Sequence, residues 1–73
     1  MNDICIKIES EEDYNKVRHL LRNPSMAFHK GFVGSYMEPT TNSNIGWGFI
    51  YEPIGTWSNK KLDVLTPEEY LNG

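Results

Sequence analysis

The chain has 73 residues, 38% of them hydrophobic, and a formal net charge of −3, which is enough for one small domain with a modest core. The negative charge argues against general affinity for DNA or RNA, because neutralising phosphates requires clustered Lys and Arg. No apolar run reaches transmembrane length, and Met1-Asn2-Asp3 does not resemble a signal peptide. The lone cysteine, Cys5, excludes an internal disulfide bond and favours a reducing cytoplasm. We therefore expect one cytoplasmic domain over residues 1–73.

The first segment, Ile4–Ile8, alternates isoleucine with other residues. This alternation is typical of a half-buried strand. Its isoleucine face is predicted to pack against the helix that follows, and its other face carries Cys5, Lys7 and Glu9.

Residues Ser10–Arg22 are predicted to form the helix against which every strand packs. Ser10 is a favourable N-cap, and Asp13 stands three residues later, where a side chain can complete a capping box. Glu12 and Lys16 have the i,i+4 spacing of a stabilising ion pair. The apolar residues that share one helix face are Tyr14, Val17, Leu20 and Leu21.

The dipeptide Asn23-Pro24 should end this helix, because a residue before proline disfavours the α region. Residues Ser25–Phe28 then predict a loop or an irregular turn that brings Phe28 into the core. The next segment, His29–Glu38, predicts a second strand, but both of its faces are partly apolar. The pattern therefore does not assign the buried face of this strand.

A polar turn, Pro39–Asn44, leads into a predicted third strand, Ile45–Glu52. Glycines weaken a strand unless something approaches the backbone closely or the strand must bend. Either the helix or a neighbouring strand packs onto Gly46 and Gly48, or a ligand lies on the glycine face, or the aromatic row is a contact surface. The residues of the aromatic face are Ile45, Trp47, Phe49 and Tyr51.

The chain ends with a long turn over Pro53–Asn59, a fourth strand over Lys61–Leu65 and a helical turn that begins at Thr66-Pro67-Glu68-Glu69. Thr is favourable at the N-cap, Pro at N1 and Glu at N3. Tyr70 and Leu71 are expected to fold back onto the core. The predicted fold is α+β, in the order β-α-β-β-β, with an antiparallel-rich sheet of about four strands, one helix on one face and a short C-terminal helical turn.

Reaction chemistry is not indicated by any motif. Cys5, His19 and His29 lack metal-ligand spacing, and the acidic run Glu11–Asp13 is explained by a solvated first helical turn. The glycines form neither a Rossmann fingerprint nor a phosphate-binding loop. We therefore expect no catalytic residue, no metal and no cofactor.

Two basic pairs, His29-Lys30 and Lys60-Lys61, are candidate ligand-binding residues. If the sheet brought them together beside Trp47 or Trp57, they could hold a phosphate or a nucleotide base by charge and stacking. Lysines also occur at turns simply because turns are exposed. The alternative function is therefore a sponge for a nucleotide signal, with the ligand held at a protomer interface by His29, Lys30 and Lys61.

The favoured function is protein binding, because nine aromatic residues (two Trp, four Tyr and three Phe) are more than a small core requires. Trp and Tyr are enriched at interface hot spots, since they bury a large area at low entropic cost. An exposed aromatic face also favours a homo-oligomer. The predicted protein-binding residues are Tyr36, Trp47, Phe49, Tyr51 and Trp57.

The Ile-x-Ile-x-Ile strand, the helical Lys16-Val17-x-x-Leu20-Leu21 and the closing Thr66–Leu71 segment together resemble a broad group of small bacteriophage-encoded accessory proteins. The resemblance spans most of the chain, which departs from the group in its long Pro39–Asn44 turn and its two-glycine strand. It implies a non-catalytic protein in the host cytoplasm that binds a host factor. Such a protein would inhibit or sequester that factor, and the resemblance includes components of host defence systems among its targets.

Overall fold

The computed structural model describes residues 4–39, 46–56 and 59–73. Its strands are β1 (Ile4–Lys7), β2 (Tyr36–Glu38), β3 (Gly48–Ile50) and β4 (Asp63–Leu65). Its α-helices are α1 (Glu11–Val17) and α2 (Pro67–Asn72), and single turns of 3-10 helix cover Arg18–Leu20 and Lys30–Phe32. The predicted α+β order, with one main helix and a short C-terminal helix, is confirmed.

The four strands form one mixed sheet in the order β3-β2-β1-β4. The pairings β1–β2 and β2–β3 are antiparallel, which agrees with the predicted antiparallel-rich sheet. β4 instead pairs with β1 in parallel, on the edge opposite β3. Parallel neighbours need a long connection, and here the chain crosses from one sheet edge to the other between β3 and β4.

The start of α1 follows the predicted capping signal. Ser10 is the N-cap, and its hydroxyl accepts a hydrogen bond from the Asp13 backbone N–H at 3.3 Å. The Asp13 carboxylate accepts from the N–H of Glu9 at 3.1 Å, one residue before the bond of a capping box. The predicted ion pair between Lys16 and Glu12 is present at 3.8 Å.

The helical segment ends earlier than Asn23-Pro24 would require. It tightens to a 3-10 turn after Val17, and Leu21 is already extended, with φ −70° and ψ 153°. Leu21 forms a parallel bridge with Trp47, and the Trp47 N–H donates to the Leu20 carbonyl at 2.8 Å. A contact distant in sequence therefore ends the helix before the local proline signal is reached.

The core lies between α1 and the sheet face that it covers. The predicted contact of the isoleucine face with the helix stripe is confirmed, since Ile6 and Ile8 are fully buried with Tyr14 and Val17. The buried residues of this cluster are Ile6, Ile8, Tyr14, Val17, Leu21 and Met37. Met37 therefore marks the buried face of β2, which the sequence pattern left open.

Tyr14 is the centre of an aromatic cluster in this core. Its ring stacks with Phe32 at 5.5 Å and with Phe49 at 6.5 Å between centroids. Phe28 packs edge-on against Tyr14 at 5.5 Å, so its predicted place in the core is confirmed. The Tyr14 hydroxyl donates to the carbonyl of Met26, which satisfies the polar end of a buried ring.

The C-terminal helix α2 begins with the predicted cap. The Glu69 N–H donates to the Thr66 hydroxyl and the Thr66 N–H donates to the Glu69 carboxylate, each at 3.1 Å. Tyr70 packs edge-on against Trp47 at 5.2 Å, as expected for a residue that folds back onto the core. The same expectation is wrong for Leu71, which is 49% exposed.

The sheet face opposite α1, hereafter the outer face, is not uniformly open. β1 was expected to be half-buried, but Cys5 is fully buried on this face. The registers place Glu38 beside Cys5, and the Thr56 N–H donates to the Glu38 carboxylate at 3.3 Å. Leu62 is also buried. The connection between β3 and β4 thus returns over part of the outer face, which no local alternation could indicate.

Candidate partner-binding surface

The predicted aromatic row is not one exposed surface. Phe49 lies opposite Met37 in the β2–β3 pairing and stacks on Phe32 at 4.5 Å between centroids. Trp47 packs against Tyr70. Trp47 and Phe49 are both partly buried against the core, so most of their contact area already stabilises the fold of a single chain.

Tyr51 separates from this row because β3 ends at Ile50. Its side chain is 89% exposed. Tyr36 lies on the outer face, half-buried, with the Lys7 ammonium 5.7 Å from its ring centroid. The remaining predicted aromatic, Trp57, lies outside the described residues.

Ile50 lies next to Tyr36 in the sheet and next to Tyr51 in the chain. It is directly opposite Tyr36 in the β2–β3 pairing, which places its half-buried side chain on the outer face. A Cβ built on Gly48, two residues earlier on the same face, would meet no heavy atom of the described residues within 4 Å. Open space therefore borders Ile50 along the strand. We name Tyr36, Ile50 and Tyr51 the outer patch; Tyr51 is included because it is exposed and follows Ile50 directly in the chain.

The sequence pattern did not point to Ile50 because it lies on the glycine face of the third strand. The sequence nevertheless contained a signal for Ile50. The other residues on its face of the strand are Gly46, Gly48 and Glu52, so no apolar side chain of the same strand lies beside it. The interpretation that another segment packs onto the glycines holds at Gly46, where the backbone of Leu21 approaches closely. It does not hold at Gly48.

The predicted ligand-binding residues lie at two ends of the sheet. His29 caps the 3-10 turn that contains Lys30, and its Nδ1 accepts from the Gly31 N–H at 3.0 Å. This turn leads to Gly34, which bonds to the Ile8 carbonyl. Lys61 instead precedes β4, whose first residue lies opposite Ile4 at the other end of β1. Within one chain, Lys30 and Lys61 therefore lie apart.

A mixed-charge cleft of about 340 Å³ lies between the start of α1, β1 and α2. Three of its four acidic side chains make contacts within the chain: Asp13 and Glu69 make the capping bonds described above, and Glu9 lies 4.0 Å from the Lys7 ammonium. Its charged lining residues are Lys7, Glu9, Asp13, Lys16, Glu68 and Glu69.

A second, more open groove of about 400 Å³ lies on the connection between β3 and β4. Here Ile54 and Lys61 form an isolated antiparallel bridge. The groove is lined by Glu52, Pro53, Ile54, Asn59 and Lys61, and we name it the hairpin groove.

The buried Cys5 thiol is chemically protected. Burial raises its pKa, and the negative charges of Glu38 and Asp63 raise it further. Because the thiolate is the nucleophile, we expect iodoacetamide to alkylate Cys5 much more slowly in the native protein than in urea at the same mildly alkaline pH. Equal rates in the two states would contradict this burial.

The same raised pKa has a consequence for stability. Folding disfavours the Cys5 thiolate, so this contribution to the free energy of unfolding is complete below the ordinary pKa of a thiol. It is lost as the pH rises through the higher pKa of the folded state. In urea titrations at increasing alkaline pH, the free energy of unfolding should therefore fall more steeply for the original chain than for Cys5→Ala.

Three findings complete the description of the candidate sites. Within residues 4–39, 46–56 and 59–73, no group of three His, Cys, Asp or Glu side chains could hold a metal ion. No described helix is long and apolar enough to cross a membrane. No family model, curated protein or solved structure matches this chain, so the outer patch and the hairpin groove are interpreted from their own geometry.

Proposed function

We propose that this chain is a small non-catalytic binding protein that inhibits or sequesters a host protein through the outer patch. A phage-encoded protein acting on a host defence factor is the source and target that the sequence resemblance implies. The observation that carries the proposal is Tyr51, which is 89% exposed just beyond the end of β3.

Exposure of this kind favours an interface. Tyr buries a large area at low entropic cost when a partner covers it, and its hydroxyl can still form a hydrogen bond. Ile50 and Tyr36 extend the apolar surface across two paired strands. Lys7, beside Tyr36, supplies a cation at its border. An apolar centre with a charged rim is the usual organisation of a protein–protein contact.

Site-specific photo-crosslinking in a bacterial lysate tests this proposal. A photoreactive phenylalanine analogue at Tyr51 should crosslink one host protein in a defined stoichiometry. The matched control is the same analogue at Val33, which is also an exposed apolar residue but lies in the turn before β2. The Val33 variant should give no such product.

Affinity measurements with the captured protein complete the test. Tyr51→Ala should weaken binding by about 30-fold or more if Tyr51 is a hot spot, with an unchanged far-UV circular dichroism spectrum. Leu71→Ala, at an exposed position on α2, should bind like the original chain. Equal crosslinking from Tyr51 and Val33, or full binding by Tyr51→Ala, would refute the outer patch as the binding surface.

A further inference from the structure

The hairpin groove combines an apolar floor with two opposite charges. Ile54 is 42% exposed and lies beside Pro53 in the lining. Glu52 and Lys61 supply one carboxylate and one ammonium. Within the described part of the chain, neither of these two side chains has an ion-pair or hydrogen-bond partner. Among the residues that the structure describes, the groove therefore presents two uncompensated charges and an exposed apolar side chain.

The backbone around this groove is held in place. The Leu62 N–H donates to the Pro53 carbonyl and the Gly55 N–H to the Lys60 carbonyl, both at 2.8 Å. Asn59 adopts φ 54°, a left-handed conformation that asparagine tolerates, and its N–H donates to the Gly55 carbonyl at 2.9 Å. A surface fixed in this way loses little entropy when it is covered.

We propose that the hairpin groove is the interface of a two-fold homodimer. In such an interface each chain offers the same patch to the other, so the patch must be complementary to itself. A patch that holds one apolar, one negative and one positive side chain can meet this requirement. The two-fold rotation sets Glu52 of each chain against the partner's Lys61, and it brings the two copies of Ile54 together at the axis.

Charge complementarity favours a second copy as the occupant, because a second copy carries both signs of charge at matching positions. A partner that carried only one sign of charge would leave either Glu52 or Lys61 facing a like charge, whereas a second copy satisfies both. This inference goes beyond the proposed function and uses none of the outer patch residues. The dimer and the binding of a host protein can therefore fail independently.

Reversal of the two charges gives a decisive test by sedimentation equilibrium. Glu52→Lys places two lysines opposite each other, and Lys61→Glu does the same with two carboxylates. Each single variant should have a dimer dissociation constant raised about ten-fold or more, because two ion pairs are lost and two repulsive contacts appear. An equimolar mixture of the two variants should form a heterodimer, since each chain then meets its complement.

The double variant Glu52→Lys/Lys61→Glu should recover self-association, because exchange of the two charges preserves the complementarity. Controls with the same changes in net charge are Glu68→Lys on α2 and Lys30→Glu in the turn before β2, both outside the hairpin groove. They should dimerise like the original chain. Far-UV circular dichroism establishes that every variant is folded.

Three results would overturn the dimer proposal. One is an original chain that stays monomeric at millimolar concentration. Another is a dimer that tolerates both single reversals, which would place the interface elsewhere. The last is failure of both the heterodimer and the double variant to associate.

Discussion

Replacing Tyr14 with alanine should unfold most of the protein. Tyr14 is fully buried, and its ring contacts Phe28, Phe32 and Phe49. Truncation of a buried aromatic side chain costs about 3–5 kcal/mol, while a core of this size supplies no more than about 3–5 kcal/mol of net stability. Far-UV circular dichroism during urea titration should show little or no folded baseline.

Tyr14→Phe is the matched control, because it keeps the ring and removes only the hydroxyl. The carbonyl of Met26 loses one donor but still accepts from Arg18 Nη2 at 2.8 Å, so it is not left unpaired. We expect a loss of about 1 kcal/mol and a folded protein. Equal destabilisation by the two substitutions would show that the hydroxyl, not ring packing, is the dominant contribution of Tyr14.

Replacing Gly46 with alanine should have the second largest effect. Gly46 has φ +88°, and an added Cβ would lie 2.6 Å from the backbone nitrogen of Arg22 and 2.9 Å from the carbonyl carbon of Leu21. The backbone conformation costs roughly 1–3 kcal/mol for a residue with a side chain. Overpacking against a backbone that cannot yield adds roughly 1–3 kcal/mol. Urea titration should show a large fall in the denaturation midpoint.

Substitutions at two other glycines distinguish the conformational cost from the steric clash. Gly34 also has φ +88°, but a Cβ there would meet no atom of residues 4–39, 46–56 and 59–73 within 4 Å, so Gly34→Ala should show the conformational cost alone. Gly48 has no left-handed φ, and a Cβ there would meet none of the described atoms within 4 Å, so Gly48→Ala should be neutral or slightly stabilising. The expected order of destabilisation is Gly46, Gly34, Gly48. Equal losses of stability in Gly46→Ala and Gly34→Ala would show that the steric clash at Gly46 contributes nothing.

Local signals were informative where both partners lie within a few residues. Ser10 and Thr66 cap the helices that their sequence contexts predicted. The isoleucine alternation in β1 correctly identified the face that packs against α1. Caps and alternation depend on hydrogen bonds and side-chain directions set by the local backbone, so no knowledge of the rest of the chain was needed.

The candidate surface was less predictable. Alternation correctly grouped Trp47 with Phe49 but could not tell that this face packs into the core of the same chain. Tyr36 and Tyr51 remain candidate interface residues, now joined by Ile50, whose position depends on its pairing with β2. The separation of Lys30 from Lys61 likewise follows from strand pairing, because the segment after Lys30 bonds to Ile8, whereas the strand after Lys61 begins opposite Ile4 at the other end of β1.

The sequence by itself determined the α+β class, the helix caps, the stripe of α1 and the buried face of β1. Only the tertiary structure decided the parallel pairing of β4, the early end of the first helical segment and the covering of Cys5. It also decided which aromatic residues stay at the surface. The physical reason is the sequence separation of the interacting residues. Caps and alternation depend on interactions between residues close in sequence, whereas burial depends on which distant segment covers each face.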